Sequence, residues 1–211
     1  MLTNAIAMEV FAQRLLAITE EMGAQLVRTS FSPNIKERRD CSVALFDAHG
    51  SVIAQAAHIP IHLGSLLGGV RALLEYYPLE DMCPGDAFAC NDAYLAGGTH
   101  LPDIAVITPI FVDEQVRFFA ANLGHHADVG GPTPGSISHA ATSIFSEGIR
   151  IPPTRIVTGG QVEDGVLRLI AHNTREPEER ILDLNVQVAT NTRGAQQMQT
   201  LVKRLGRASV E

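Results

Sequence analysis

Two apolar runs, residues 104–112 and 116–122, are separated only by a short polar turn at Asp113-Glu114. A connection that short can join only antiparallel neighbours, because a parallel partner needs a crossover of a dozen or more residues. The chain is therefore committed to an antiparallel hairpin near its middle. Pro109 lies inside the first run and has no amide hydrogen for a ladder, so an edge or a bulge is expected there. With the turn centred between Asp113 and Glu114, paired positions sum to 227, which sets Asp103 opposite Gly124 and Pro102 opposite His125.

Further elements follow from period and punctuation. Phe11, Leu15, Ile18, Met22 and Leu26 form one stripe at helical spacing, with Thr3 or Asn4 available as a cap. Residues 43–46 and 52–54 read as a second hairpin around Asp47, His49 and Gly50, and 87–90 as a short strand. Residues 63–77 follow a helical pattern through Leu63, Leu67, Val70 and Leu74, despite Gly68-Gly69. A third hairpin is expected near 155–169. Pro177 then opens a long helix with Ile181, Leu184, Val188, Ala195, Val202 and Leu205 on one face and Gly206 past its end. The fold class predicted is α+β, an antiparallel sheet of hairpins flanked by long amphipathic N- and C-terminal helices, with 1–211 as a single domain.

Composition narrows the function classes. Sixteen basic against 23 acidic residues give a net charge of −7, which argues against nucleic-acid or anionic-membrane surfaces. No apolar run reaches the roughly 18 residues of a membrane span. No basic segment precedes an apolar core at the N-terminus. Cys41, Cys83 and Cys90 form no CxxC pair and read as reduced thiols, so a cytoplasmic location is expected. No phosphate loop and no G-x-S-x-G elbow occur.

The chemistry concentrates where the central hairpin opens. NDAYLAGGTHLPD (residues 91–103) and GHHAD (residues 124–128) flank its two strands. Hairpin pairing brings them together, so His100, Asp103 and His125 can converge on a divalent metal with open coordination positions. Two imidazoles and one carboxylate suit iron, manganese or zinc. His126 and Asp128 are candidates either for a general base and its orienter or for groups supporting the ligands. Glu147, in a Gly/Pro-flanked string, is a further candidate at the site. His58 and His62 either line the same cleft or cap the helix that follows. Glu37, Arg38 and Asp40 read as cleft charges or as a solvated run, and Asp92 as a ligand or an orienter of His100.

The strings FSPNIKERRDCS, AHIPIHLGSL, NDAYLAGGTHLPDI, NLGHHADVGG and SEGIRIPP resemble the N-terminal part of the hydantoinase B/oxoprolinase family, over residues 29–204. The resemblance implies metal ligands at His100, Asp103 and His125, with manganese in the acetone-carboxylase-like branch. It implies a partner A-type subunit that binds ATP and activates the substrate, in a hetero-oligomer. The expected activity is opening of a cyclic amide, hydantoin or 5-oxoproline. The alternatives are an acetone-carboxylase-like role or a non-catalytic assembly domain. Alanine stands at position 93 where many relatives have proline, and B subunits of the family run to more than twice this length. Catalysis is therefore expected to need further polypeptide.

Overall fold

A computed structural model describes residues 5–56 and 59–205. In chain order it contains α1 (Ala5–Thr29), α2 (Pro33–Lys36), β1 (Cys41–Asp47), β2 (Val52–Gln55), α3 (Pro60–Tyr76), β3 (Ala87–Cys90), α4 (Ala93–Ala96), β4 (Asp103–Val112), β5 (Gln115–His125), β6 (Thr154–Thr158), β7 (Gln161–Val162), α5 (Asp164–Ala171) and α6 (Pro177–Leu205). The strands form one sheet, ordered β2-β1-β5-β4-β3-β6-β7, with every neighbouring pair antiparallel. The expected α+β class is found. His58 and the expected helix-end residues Thr3, Asn4 and Gly206 lie outside the described residues. No described helix is long and apolar enough to cross a membrane. Cys41, Cys83 and Cys90 are free thiols.

Strand alternation divides the core into two faces. Ala44, Phe46, Phe88, Cys90, Ala105, Ile107, Phe119, Ala121 and Leu123 turn toward α3, where Leu66, Val70 and Leu73 meet them. Val43, Leu45, Ile110 and Ala120 turn the other way, onto α1 and α6 through Leu15, Met22, Leu26, Met198 and Val202. On the same side Ala87, Ala89, Ile104 and Val106 pack on α5 and α6 through Leu167, Ile170 and Leu184. The glycines that weaken the helical pattern at 68–69 belong to α3 for a packing reason. A Cβ on Gly68 would stand 1.9 Å from the Ala96 carbonyl oxygen, so only glycine lets α4 lie against α3.

Two expectations change and one is met. The central pairing is shifted by one: Phe111 pairs with Val116 as summed, but Ile110 pairs with Phe118, and from there Asp103 lies opposite His125. A bulge at Arg117 inserts one residue into β5, which the sum of positions cannot detect. Pro109 sits in a central strand, beside the bulge and just beyond the stretch where β3 pairs with β4, so the bulge expected there is found and its missing amide hydrogen breaks no ladder. The third hairpin is short, and residues 164–171 are helical, their Leu167, Ile170 and Ala171 buried at helical spacing.

The buried face of α6 also differs from its apolar stripe. Leu184, Ala195 and Val202 are buried, whereas Ile181 and Val188 are only partly so. Asp183, Gln187 and Asn191 take the inner positions. Gln187 donates to the Ile104 carbonyl at 2.9 Å and Asn191 to the Val106 carbonyl at 2.9 Å. Asn122 Nδ2 donates to both the Gln187 carbonyl and Asn191 Oδ1. Side-chain amides thus clamp α6 to the end of the hairpin that carries the site.

Candidate metal centre

The site forms where β4 begins and β5 ends. Asp103 shares the face of Ala105, and His125 shares the face of Leu123, so alternation sends both toward α3. His100 enters from a tight turn closed by the Asp103 amide donating to the His100 carbonyl at 3.2 Å. Donor atoms of His100, Asp103 and His125 all lie within 4.8 Å of one another. The two imidazoles meet edge to face, with centroids 4.9 Å apart. His125 and Asp103 are buried, while the His100 side chain is 36% exposed, so the trio opens on the His100 side.

The Asp103 carboxylate is held from one side only. Oδ2 accepts from the Thr99 hydroxyl at 2.6 Å. Oδ1 stands 3.2 Å from His100 Nε2 but is buried without a hydrogen-bond partner. An orphaned carboxylate oxygen between two imidazoles is the arrangement a divalent cation satisfies, and the donor set suits a borderline metal. Burial works to raise the Asp103 carboxyl. The contacts with His100 and Thr99 and the charges of His100 and His62 outweigh it and hold the group below the usual carboxylate range. The same carboxylate raises His100 against the effect of burial. Burial dominates at His125 and lowers it.

Two more groups stand at the trio. His62 lies in the first turn of α3, buried, with Nε2 3.7 Å from Asp103 Oδ2 and 3.5 Å from Asp40 Oδ1. Its Nδ1 is 3.1 Å from the Ser42 hydroxyl. Burial lowers its pKa, with Asp103 and Asp40 pulling partly back. Of the two readings open for His62, the helix cap is not formed, and the side chain instead stands beside Asp103. Asp40 precedes β1, and its carbonyl accepts the His125 amide at 3.0 Å, which places its carboxylate beside the site. Glu37 and Arg38 are exposed.

The remaining candidates are placed elsewhere. His126 follows the strand end on the opposite face, fully buried, with Nε2 2.9 Å from Gln187 Oε1. Burial, with Arg180 adding to it, lowers His126 to about 4. Asp128 accepts from the Gly130, Gly135 and Arg175 amides and pairs with the Arg175 guanidinium at 2.8 Å. The base-and-orienter pair drawn from these two residues is not formed, because their hydrogen bonds are directed to α6 and to the glycine-rich loop. Asp92 caps α4 through the Tyr94 and Leu95 amides and pairs with Arg150 at 2.6 Å, so its oxygens are engaged away from the trio. Glu147 ends the turn Ile144–Ser146, half-buried, with its charge acting on His100. Asn34, unremarked in the sequence, reaches His125 Nδ1 at 2.8 Å. Its signal lay in the string FSPNIKERRDCS, but nothing local ties it to a histidine 91 positions away.

Comparison with known proteins identifies the family. The family model described as hydantoinase B/oxoprolinase matches residues 4–211. The 5-oxoprolinase 1 of Arabidopsis thaliana is 38% identical over 220 residues, covering 99% of this chain and 17% of its own. The crystal structure of ATP-dependent caprolactamase from Pseudomonas jessenii superposes with a TM-score of 0.91 at 32% identity, covering 99% of this chain and 36% of that one. The nucleotide-free structure of acetone carboxylase shares the fold, with a TM-score of 0.88 at 21% identity over 96% of this chain and 26% of that one. The chain thus spans about a third or less of the relatives it matches. It belongs to the hydantoinase B/oxoprolinase family.

Proposed function

We propose, from that membership, that the chain is the metal-binding portion of an ATP-dependent cyclic amide hydrolase, acting with an A-type subunit that binds ATP. The relatives at 30% identity or more include a 5-oxoprolinase and an ATP-dependent caprolactamase, which favours a lactam substrate. The observation that carries the metal reading is the convergence of the His100, Asp103 and His125 donor atoms within 4.8 Å, with the buried Asp103 Oδ1 facing His100 Nε2 at 3.2 Å without an aligned hydrogen bond. Manganese is the ion we assign, with zinc and iron the other ions this donor set suits.

His100, Asp103 and His125 would hold a divalent cation, which would supply Lewis-acid polarisation of an amide carbonyl. The chain's own residues prepare the place. Thr99 holds Asp103 Oδ2 and leaves Oδ1 beside His100. His62, its pKa lowered by burial, can take or return a proton at Nε2, between Asp40 and Asp103. Glu147 adds a minor negative pull on the open His100 side, after Asp103 and Asp40. His126 and Asp128 support the site from behind, through α6 and the loop.

Elemental analysis of the purified chain against His100→Ala and Asp103→Ala tests the metal. We expect about one ion per wild-type chain and loss in both variants; equal content in all three removes the reading. Turnover of 5-oxoproline, hydantoin and caprolactam with ATP and the A-type subunit tests the reaction class. The second reading is a non-catalytic assembly domain. No turnover from a metal-loaded complex, where a full-length relative turns over, would select it.

A further inference from the structure

We infer that Asn34 is a positioning residue for the metal ligand His125, setting which ring nitrogen faces the cation. The inference rests on the metal reading above.

His125 has two ring nitrogens, and Asn34 occupies one. The Asn34 amide nitrogen lies 2.8 Å from Nδ1, so Nε2 is the nitrogen left for the trio. A ring nitrogen can bind a cation only through a free lone pair, and a neutral imidazole carries one hydrogen. If the amide NH2 faces Nδ1, that nitrogen accepts and the hydrogen sits on Nε2. A half-turn of the amide presents Oδ1 instead. It then accepts Nδ1–H and leaves the Nε2 lone pair toward Asp103 and His100. The bound form therefore requires the carbonyl orientation, the arrangement by which an outer partner fixes the tautomer of a ligating histidine.

Asn34 is held firmly enough to do this. Ile35 beside it is fully buried against Gly124, where a Cβ would come within 2.8 Å of Ile35 Cδ1. The Asp183 carboxylate accepts the Phe31 amide at 2.7 Å and the Ser32 amide at 3.1 Å, tying the chain before α2 to α6. The Asn34 carbonyl accepts the Asp40 amide at 3.0 Å. The four-residue α2 is thus fixed at the strand end that bears His125, and only the side-chain amide is left to turn.

The test is calorimetric titration of the chelator-treated chain with Mn2+ and with Zn2+. Asn34→Leu keeps the size and removes the acceptor; we expect affinity to fall roughly 10–100-fold. Asn34→Asp keeps an acceptor for Nδ1–H and should stay within a few-fold of wild type. Thermal melts in chelator show whether each variant folds, and Asn34→Ala serves if Asn34→Leu does not. Nitrogen-15 shifts of the zinc-loaded wild type give a check independent of variants, with His125 expected to carry hydrogen on Nδ1. Wild-type affinity in Asn34→Leu, equal loss in Asn34→Asp, or hydrogen on Nε2 in the loaded protein overturns the inference alone. A wild-type chain that binds neither ion overturns the metal reading and this inference with it.

Discussion

Asp103 and His125 are directly opposed in the β4–β5 ladder, on the face covered by α3. Opposed residues in an antiparallel pair stand roughly 4.5–5.5 Å apart, a separation one ion can bridge. The Thr99 hydroxyl fixes one of these two partners by donating to Asp103 Oδ2. Thr99→Val is therefore expected to weaken metal binding by roughly tenfold while leaving the melting temperature in chelator close to wild type. Titration of both proteins with Mn2+ checks it, and unchanged affinity would show that the hydroxyl does not orient the carboxylate.

Gly124 admits Ile35, and a methyl there meets Ile35 Cδ1 at 2.8 Å. Gly124→Ala should cost about 1–3 kcal/mol, the range for overpacking a filled core. Ile35→Val removes the colliding atom, so the double variant should recover part of that loss, a coupling visible in a double-mutant cycle by urea unfolding. Strict additivity would mean that the two do not touch.

Gly68 lets the Ala96 carbonyl approach where a Cβ would stand 1.9 Å away. Backbone cannot yield as a flexible side-chain tip does. Gly68→Ala should push α4 and the following loop away from α3, lowering both stability and metal affinity, since His100 lies on that loop. Retained affinity in a melted-down variant would uncouple the two.

Gln187 joins both strands at the site end, accepting from His126 Nε2 and donating to the Ile104 carbonyl. Gln187→Leu leaves buried polar groups without partners, at about 1–3 kcal/mol each. Denaturant melts would show the loss, and a change within experimental error would contradict the clamp.

Acid should destabilise the chain before its carboxylates titrate. The His126 value of about 4 lies below the ordinary 6.5. Between those values the unfolded chain binds a proton that the native chain refuses, so the contribution is full above about 6.5 and is lost as pH falls toward 4. His62 and His125 are lowered by burial and act in the same direction, whereas His100 is raised and opposes them. His126→Gln should flatten the slope by up to one proton, about 1.4 kcal/mol per pH unit. Melts in chelator from pH 7 to 4.5 measure it; parallel curves would refute the assignment.

The alternating runs either side of Asp113-Glu114, the helical stripes at both ends and the two polar strings beside the hairpin belong to the sequence alone. They are local, and a two-residue turn leaves only an antiparallel pairing of the runs. They were enough to name His100, Asp103 and His125 as a cluster and to mark the family. Tertiary structure decided the rest. The bulge at Arg117 moved the register by one, because nothing in summed positions reveals an extra residue. His62, Asp40 and Asn34 reached the site from α3, from the start of β1 and from α2, elements brought there by packing over long sequence distances. The inner face of α6 escaped apolar periodicity because its amides satisfy strand carbonyls, and a hydrogen bond to a distant backbone leaves no period in the sequence.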